Sequence, residues 1–124
     1  MFADTKTFSA FAVDDLAQAG KFYGATLGLE VSGQDRWLTV HLAGGGEIRV
    51  YPRPGHIPAA STVLMFQVDD IEAAVGELTR RGVGFEHYDG MDQDERGVTR
   101  GGGPIIAAWF KDPAGNILEV MQER

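Results

Sequence analysis

The chain contains no cysteine, which excludes disulfide staples, thiolate metal sites and reactive-thiol chemistry. It has no apolar run near the roughly 20 residues that a membrane span needs, and no basic segment leading into an apolar core opens it. Positive charge is scarce: 11 Lys and Arg face 18 Asp and Glu, a net charge of −7. A surface of that sign repels phosphate backbones, so nucleic acid is not an expected partner. Phosphate-cradling loops, dinucleotide fingerprints and Ser/His/Asp sequence motifs are missing too. Together these absences predict a soluble, cytoplasmic protein that engages neither membrane nor nucleic acid.

What is present begins with 17 glycines and 44% apolar residues in 124 positions. That suffices for one domain with a real core, built from two small interdependent modules. A repeat marks the modules. Phe11-Ala12-Val13-Asp14-Asp15-Leu16 returns 55 positions later as Phe66-Gln67-Val68-Asp69-Asp70-Ile71. Each copy leads into an amphipathic helix. In the second, Ile71, Ala74, Val75 and Leu78 fall on one stripe. Asp69 and Glu72 stand at capping-box spacing, and Gly82 sits where that helix would end. In the first, the stripe is Leu16, Ala19, Phe22 and Tyr23, closed by Gly28.

Extended segments follow each helix, over residues 30–31, 37–42 and 47–51 in the first copy and 83–88, 105–111 and 116–122 in the second. Asp112-Pro113-Ala114-Gly115-Asn116 supplies a tight turn before the last of them. Strand, helix and three strands thus occur twice, as module one over 1–52 and module two over 61–124, joined by a linker over 53–60 within a single domain 1–124. The polar, glycine-rich stretch 89–104 includes Gly101-Gly102-Gly103. At that length it reads as a functional lid or a disordered segment.

This duplicated βαβββ pattern resembles the vicinal oxygen chelate superfamily, which includes glyoxalases, extradiol dioxygenases, fosfomycin-resistance enzymes and bleomycin-binding proteins. The resemblance is carried by Val13-Asp14-Asp15-Leu16, Phe22-Tyr23, Leu27-Gly28-Leu29, Val68-Asp69-Asp70-Ile71 and the stretch from Trp109 to Glu119. It covers nearly the whole chain and implies an α+β fold, with eight strands in an open, cup-shaped mixed sheet and the helices outside. It also implies that metal-using members take one ligand from the first strand and one from the last strand of each module. Those positions fall on Phe8 and Arg49 in module one, and on Val63 and Glu119 in module two. Only Glu119 can bind a metal, so neither a metal nor another cofactor is expected.

Strand alternation places Phe8, Arg49 and Tyr51 on one face of module one, and Val63, Met65, Gln67, Glu119 and Met121 on one face of module two. His41 and Trp109 complete the expected ligand-binding set. The opposite positions Val13, Ile48, Val50, Leu118 and Val120 are apolar, as packing against helices demands. A mostly apolar surface with a few convergent polar groups is what a small-molecule site looks like. Two readings of Arg49 with Glu119 stand open. They form a salt bridge closing the core, or Arg49 forks a ligand's anion while Glu119, the one catalytic candidate, acts as acceptor or general base. Trp37 and Trp109 either stack on an aromatic ligand or fill the core. The sequence therefore points to a metal-independent small-molecule binding protein, similar to the bleomycin-binding branch, for an apolar, anionic or aromatic compound. A homodimer is expected, because an open sheet from so short a chain leaves edges to cover. The alternative is a metal-dependent lyase or isomerase with glyoxalase-like proton transfer, or a dioxygenase-like enzyme.

Overall fold

The computed structural model describes residues 1–33, 35–101 and 103–124, so Gly102 of the expected lid lies outside the described residues. The chain divides into two compact units, Met1–Ile57 and Pro58–Arg124. In the first, β1 (Ser9–Val13) leads into α1 (Leu16–Gly20). Asp15 is extended there, and its carboxylate accepts the Gln18 N–H, satisfying a donor that the first helical turn leaves unpaired. The helix then widens into a π-helical stretch over Lys21–Thr26. This stretch seats Tyr23 out of solvent, its ring 5.2 Å from that of Phe22 and 5.7 Å from that of Phe11.

β2 (Glu30–Ser32), β3 (Leu38–His41) and β4 (Glu47–Pro52) complete a four-stranded sheet in the order β1-β4-β3-β2. β4 runs parallel to β1, whereas β3 is antiparallel to both its neighbours. Parallel partners cannot be joined by a hairpin, so the chain crosses over between them and brings a helix with it. Along β4, Ile48 and Val50 are buried, while Glu47 and Arg49 point to the other face.

The second unit repeats the plan with β5 (Thr62–Gln67), α2 (Ile71–Arg80), β6 (Ile105–Lys111) and β7 (Ile117–Glu123), in the order β5-β7-β6. The α2 cap is Asp70, one residue later than the capping-box spacing implies, and its carboxylate accepts the Ala73 N–H. The side chain of Gln122 on β7 accepts the Ile71 N–H. Ile71 and Val75 are buried where α2 packs on β6 and β7. Burial of such side chains stabilises by roughly 1.5–3 kcal/mol each. In the turn before β7, the Asp112 carboxylate accepts the N–H groups of Ala114 and Asn116 and the Asn116 amide. Among the described residues no helix is long and apolar enough to cross a membrane.

The α+β fold thus has seven described strands in two mixed sheets. Residues 83–88 do not form the expected eighth strand, because two short stretches share the outer edge of β6. Glu86 donates its N–H to the Trp109 carbonyl at 2.8 Å, and Phe85 bridges to Phe110. Further along that edge, Thr99 exchanges both backbone hydrogen bonds with Ala107. The edge is covered without a continuous strand.

The stretch 89–104, expected as a functional lid or a disordered segment, is tied by side-chain hydrogen bonds over its middle. The Gln93 amide donates to the carbonyls of Glu86 and Gly97, and its oxygen accepts the Tyr88 N–H. Asp94 accepts the N–H groups of Arg96 and Val98 and the Arg100 guanidinium. Glu72, drawn away from any capping box, holds Arg96 and Arg100 from the first turn of α2. Partial burial works against the Asp94 carboxylate, yet the Val98 amide, Arg100 and the Arg96 amide together keep its pKa below the usual aspartate range. Its contribution to folding is therefore present above about pH 4 and lost as pH falls through the lower folded value. Amide exchange over residues 93–99 should be as slow as in the strands. Asp94→Asn should speed it selectively, with little effect on exchange in β5 and β7.

Candidate functional site

In the first unit the register of β3 and β4 pairs Thr39 with Arg49. Trp37, two residues before Thr39, shares that face. The Arg49 guanidinium carbon lies 4.5 Å from the centroid of the Trp37 ring and 4.8 Å from that of Phe8. The cation is thus held between two π faces, although Phe8 and Trp37 are 38% and 41% exposed. Arg49 Nε is buried and finds no hydrogen-bond partner among the described residues. Tyr51 follows on the same face of β4 and is exposed. Lys6 adds a second cation 5.1 Å from the Phe8 centroid. An open pocket of about 350 Å³ lies beside Trp37, bounded also by Gly33, Asp35 and Arg36. His41 stands at the end of β3, with Ser32 Oγ 2.7 Å from its Nε2.

In the second unit the register lines up Met65, Glu119 and Trp109 in one row, and Gln67, Met121 and Ala107 in the next. Glu119 is only 6% exposed. Its Oε1 accepts the Trp109 indole N–H at 2.9 Å and the Thr62 hydroxyl at 3.3 Å. Met65 is exposed, as is Gln67, whereas Met121 is buried. A register shift between Thr62 and Leu64 changes the part that alternation assigned to Val63. Val63 is the residue left over at this irregularity, and it is Thr62 that reaches Glu119. Beyond Trp109, the Tyr88 ring sits edge-on at 6.0 Å, and its hydroxyl is buried without a partner among the described residues. Burial, reinforced by the Glu86 carboxylate and opposed by Lys111, raises the Tyr88 pKa and keeps the phenol neutral.

Trp37 as the second face of the stack was accessible to alternation, since it lies two residues before Thr39. Thr62 and Tyr88 carried no such signal. One depends on a bulge and the other on a segment that is not a strand.

A family model described as the Glyoxalase/Bleomycin resistance protein/Dioxygenase superfamily matches residues 8–120. The chain belongs to that superfamily. Its fold is similar to that of a glyoxalase family protein from Bacillus anthracis, with a TM-score of 0.69 at 22% identity over 100% of both chains. It is similar also to a glyoxalase/bleomycin resistance protein/dioxygenase from Alicyclobacillus acidocaldarius, with a TM-score of 0.69 at 18% identity over 99% of this chain and 95% of that one. TnmS3, an antibiotic binding protein from Streptomyces sp. CB03234, gives a TM-score of 0.66 at 25% identity over 98% of each chain. No curated protein matches the chain.

Metal-dependent members of the superfamily raise the question of whether these residues fit a metal. They do not. The positions implied for ligands are Phe8, Arg49, Val63 and Glu119, of which one is a donor. Among the described residues no group of three or more His, Cys, Asp or Glu side chains is placed to hold an ion. Glu119 is engaged instead by neutral donors of its own sheet. Trp109→Phe should cost about 1–3 kcal/mol, because a buried carboxylate then loses a donor. Adding Glu119→Leu should recover much of that loss. Urea unfolding of the three proteins checks both expectations.

Proposed function

We propose that the protein is a metal-independent small-molecule binding protein whose ligand is an aromatic or apolar compound bearing an anionic group. The observation that carries this reading is the Arg49 stack. Phe8 and Trp37 fix the guanidinium plane and exclude water from Nε. The terminal guanidinium N–H groups are left to meet a ligand carboxylate with a charge-assisted, forked pair of hydrogen bonds. The exposed aromatic rings offer a surface for the rest of the ligand. The antibiotic binding protein from Streptomyces sp. CB03234 supports the reading as a member of like fold with a binding role.

Calorimetry should show benzoate and naphthoate binding, with their neutral amides at least tenfold weaker, a difference of about 1.4 kcal/mol. Arg49→Met should remove that preference. Equal affinity for acid and amide in the unaltered protein would refute the reading. The proposal includes a homodimer, supported by the outer edges of β1, β2 and β5, which have no strand partner among the described residues. A monomer in light scattering at micromolar concentration contradicts that part.

A further inference from the structure

No Ser/His/acid motif is visible along the sequence, but the first sheet assembles one. β2 pairs with β3 so that Glu30 faces His41 and Ser32 faces Thr39, and β3 pairs with β4 so that His41 faces Glu47. Ser32, His41 and Glu47 therefore stand on the Arg49 face of the sheet. Ser32 Oγ lies 2.7 Å from His41 Nε2. The opposite ring nitrogen, Nδ1, lies 3.9 Å from Glu47 Oε2. With the imidazole proton on Nδ1, Nε2 accepts from the serine hydroxyl while the carboxylate faces the nitrogen that carries positive charge once that proton is taken. This is the order of roles that activates a serine nucleophile. At 3.9 Å Glu47 acts through its charge, which it shares with Lys6 at 3.5 Å.

Access is open. Ser32 is exposed at the end of edge strand β2. Gly33 follows it at φ +89°, where a Cβ would stand 2.7 Å from the Trp37 carbonyl oxygen. Only glycine lets the chain turn so closely behind the hydroxyl. This glycine is one of the residues lining the pocket beside Trp37. Ser32, Thr39 and Arg49 form one row across β2, β3 and β4, so Ser32 and Arg49 are two strand spacings, about 10 Å, apart.

We infer that Ser32 and His41 form a hydrolytic site for small aryl esters, with Glu47 as a positioning residue and Arg49 selecting esters that carry a carboxylate. The selectivity, though not the hydrolysis, rests on the ligand reading given above. Ser32 Oγ bonds to the ester carbonyl carbon as its proton passes to Nε2. The carbon–oxygen bond to the phenoxide breaks, and the leaving oxygen takes that proton. Water then attacks the acyl-serine by the same relay, releasing the acid and restoring the hydroxyl.

The test is release of phenol from 4-acetoxybenzoate and from neutral 4-nitrophenyl acetate, above the rate in buffer. Both should be turned over, and Ser32→Ala and His41→Gln should each lower kcat about 100-fold. Glu47→Gln should lower kcat with KM unchanged, which loss of a merely structural contact would not do. Arg49→Met should lower the ratio of kcat/KM for the acid over the neutral ester. A fluorophosphonate probe, losing fluoride, should label Ser32 in the unaltered protein, as read by mass spectrometry, so the assignment does not depend on any variant folding. No turnover of either ester, turnover indifferent to Ser32→Ala, or labelling at another residue overturns the hydrolytic site. Benzoate calorimetry is independent of that outcome, so failure of the ligand reading is seen separately.

Discussion

In both units the strand laid down last enters the middle of the sheet and runs parallel to the one laid down first, β4 beside β1 and β7 beside β5. A parallel neighbour cannot be reached by a hairpin. That constraint forces the crossover which carries α1 and α2, and in the second unit α2 covers one face of the sheet. The other face is left for polar groups. Arg49 and Glu119 stand at the centres of these faces because β4 and β7 stand at the centres of their sheets. Neighbouring strands on both sides then supply their partners.

The two charges are accommodated differently. Glu119 is buried, and neutral donors from both flanking strands meet its Oε1. It has the character of a structural group, locked in orientation. Arg49 is held by ring faces, which stabilise a cation without using its hydrogen atoms. The guanidinium keeps donor capacity to offer, and that difference makes the first unit the stronger binding candidate.

The fold was largely legible in the sequence because it was written twice. The echo of residues 11–16 in 66–71 located both first strands and both helices, and period-two patterning located β4 and β7. The misses have local causes. Asp70 rather than Asp69 caps α2, because adjacent aspartates are equivalent as caps until the strand end fixes which one is extended. Residues 83–88 have strand-like composition, but the loop after them claims part of the same β6 edge. The loop itself looked free because its ties are long-range: Glu72 precedes Arg96 and Arg100 by more than a full helix of chain. In the candidate site, Phe8 and Arg49 were placed together by the family resemblance and by strand alternation. Thr62 was hidden by a register shift, and the Ser32–His41 pair by pairing between strands rather than spacing along one.

The widened helix over Lys21–Thr26 has a consequence for how this protein tolerates change in length. A π-helical stretch accommodates one more residue per turn than the α-helix around it. Removing a residue there would give the backbone a regular helix and cost it no hydrogen bonding. Phe22 and Tyr23 lie inside that stretch, however, so closing it would shift both relative to Phe11 even though the chain beyond kept its phase. An insertion or deletion that a secondary-structure view would score as an improvement would thus dismantle the aromatic cluster behind the first sheet. Length variation in this unit belongs in the exposed turn at Ala43–Gly46, where the chain can grow without changing the phase of anything that packs.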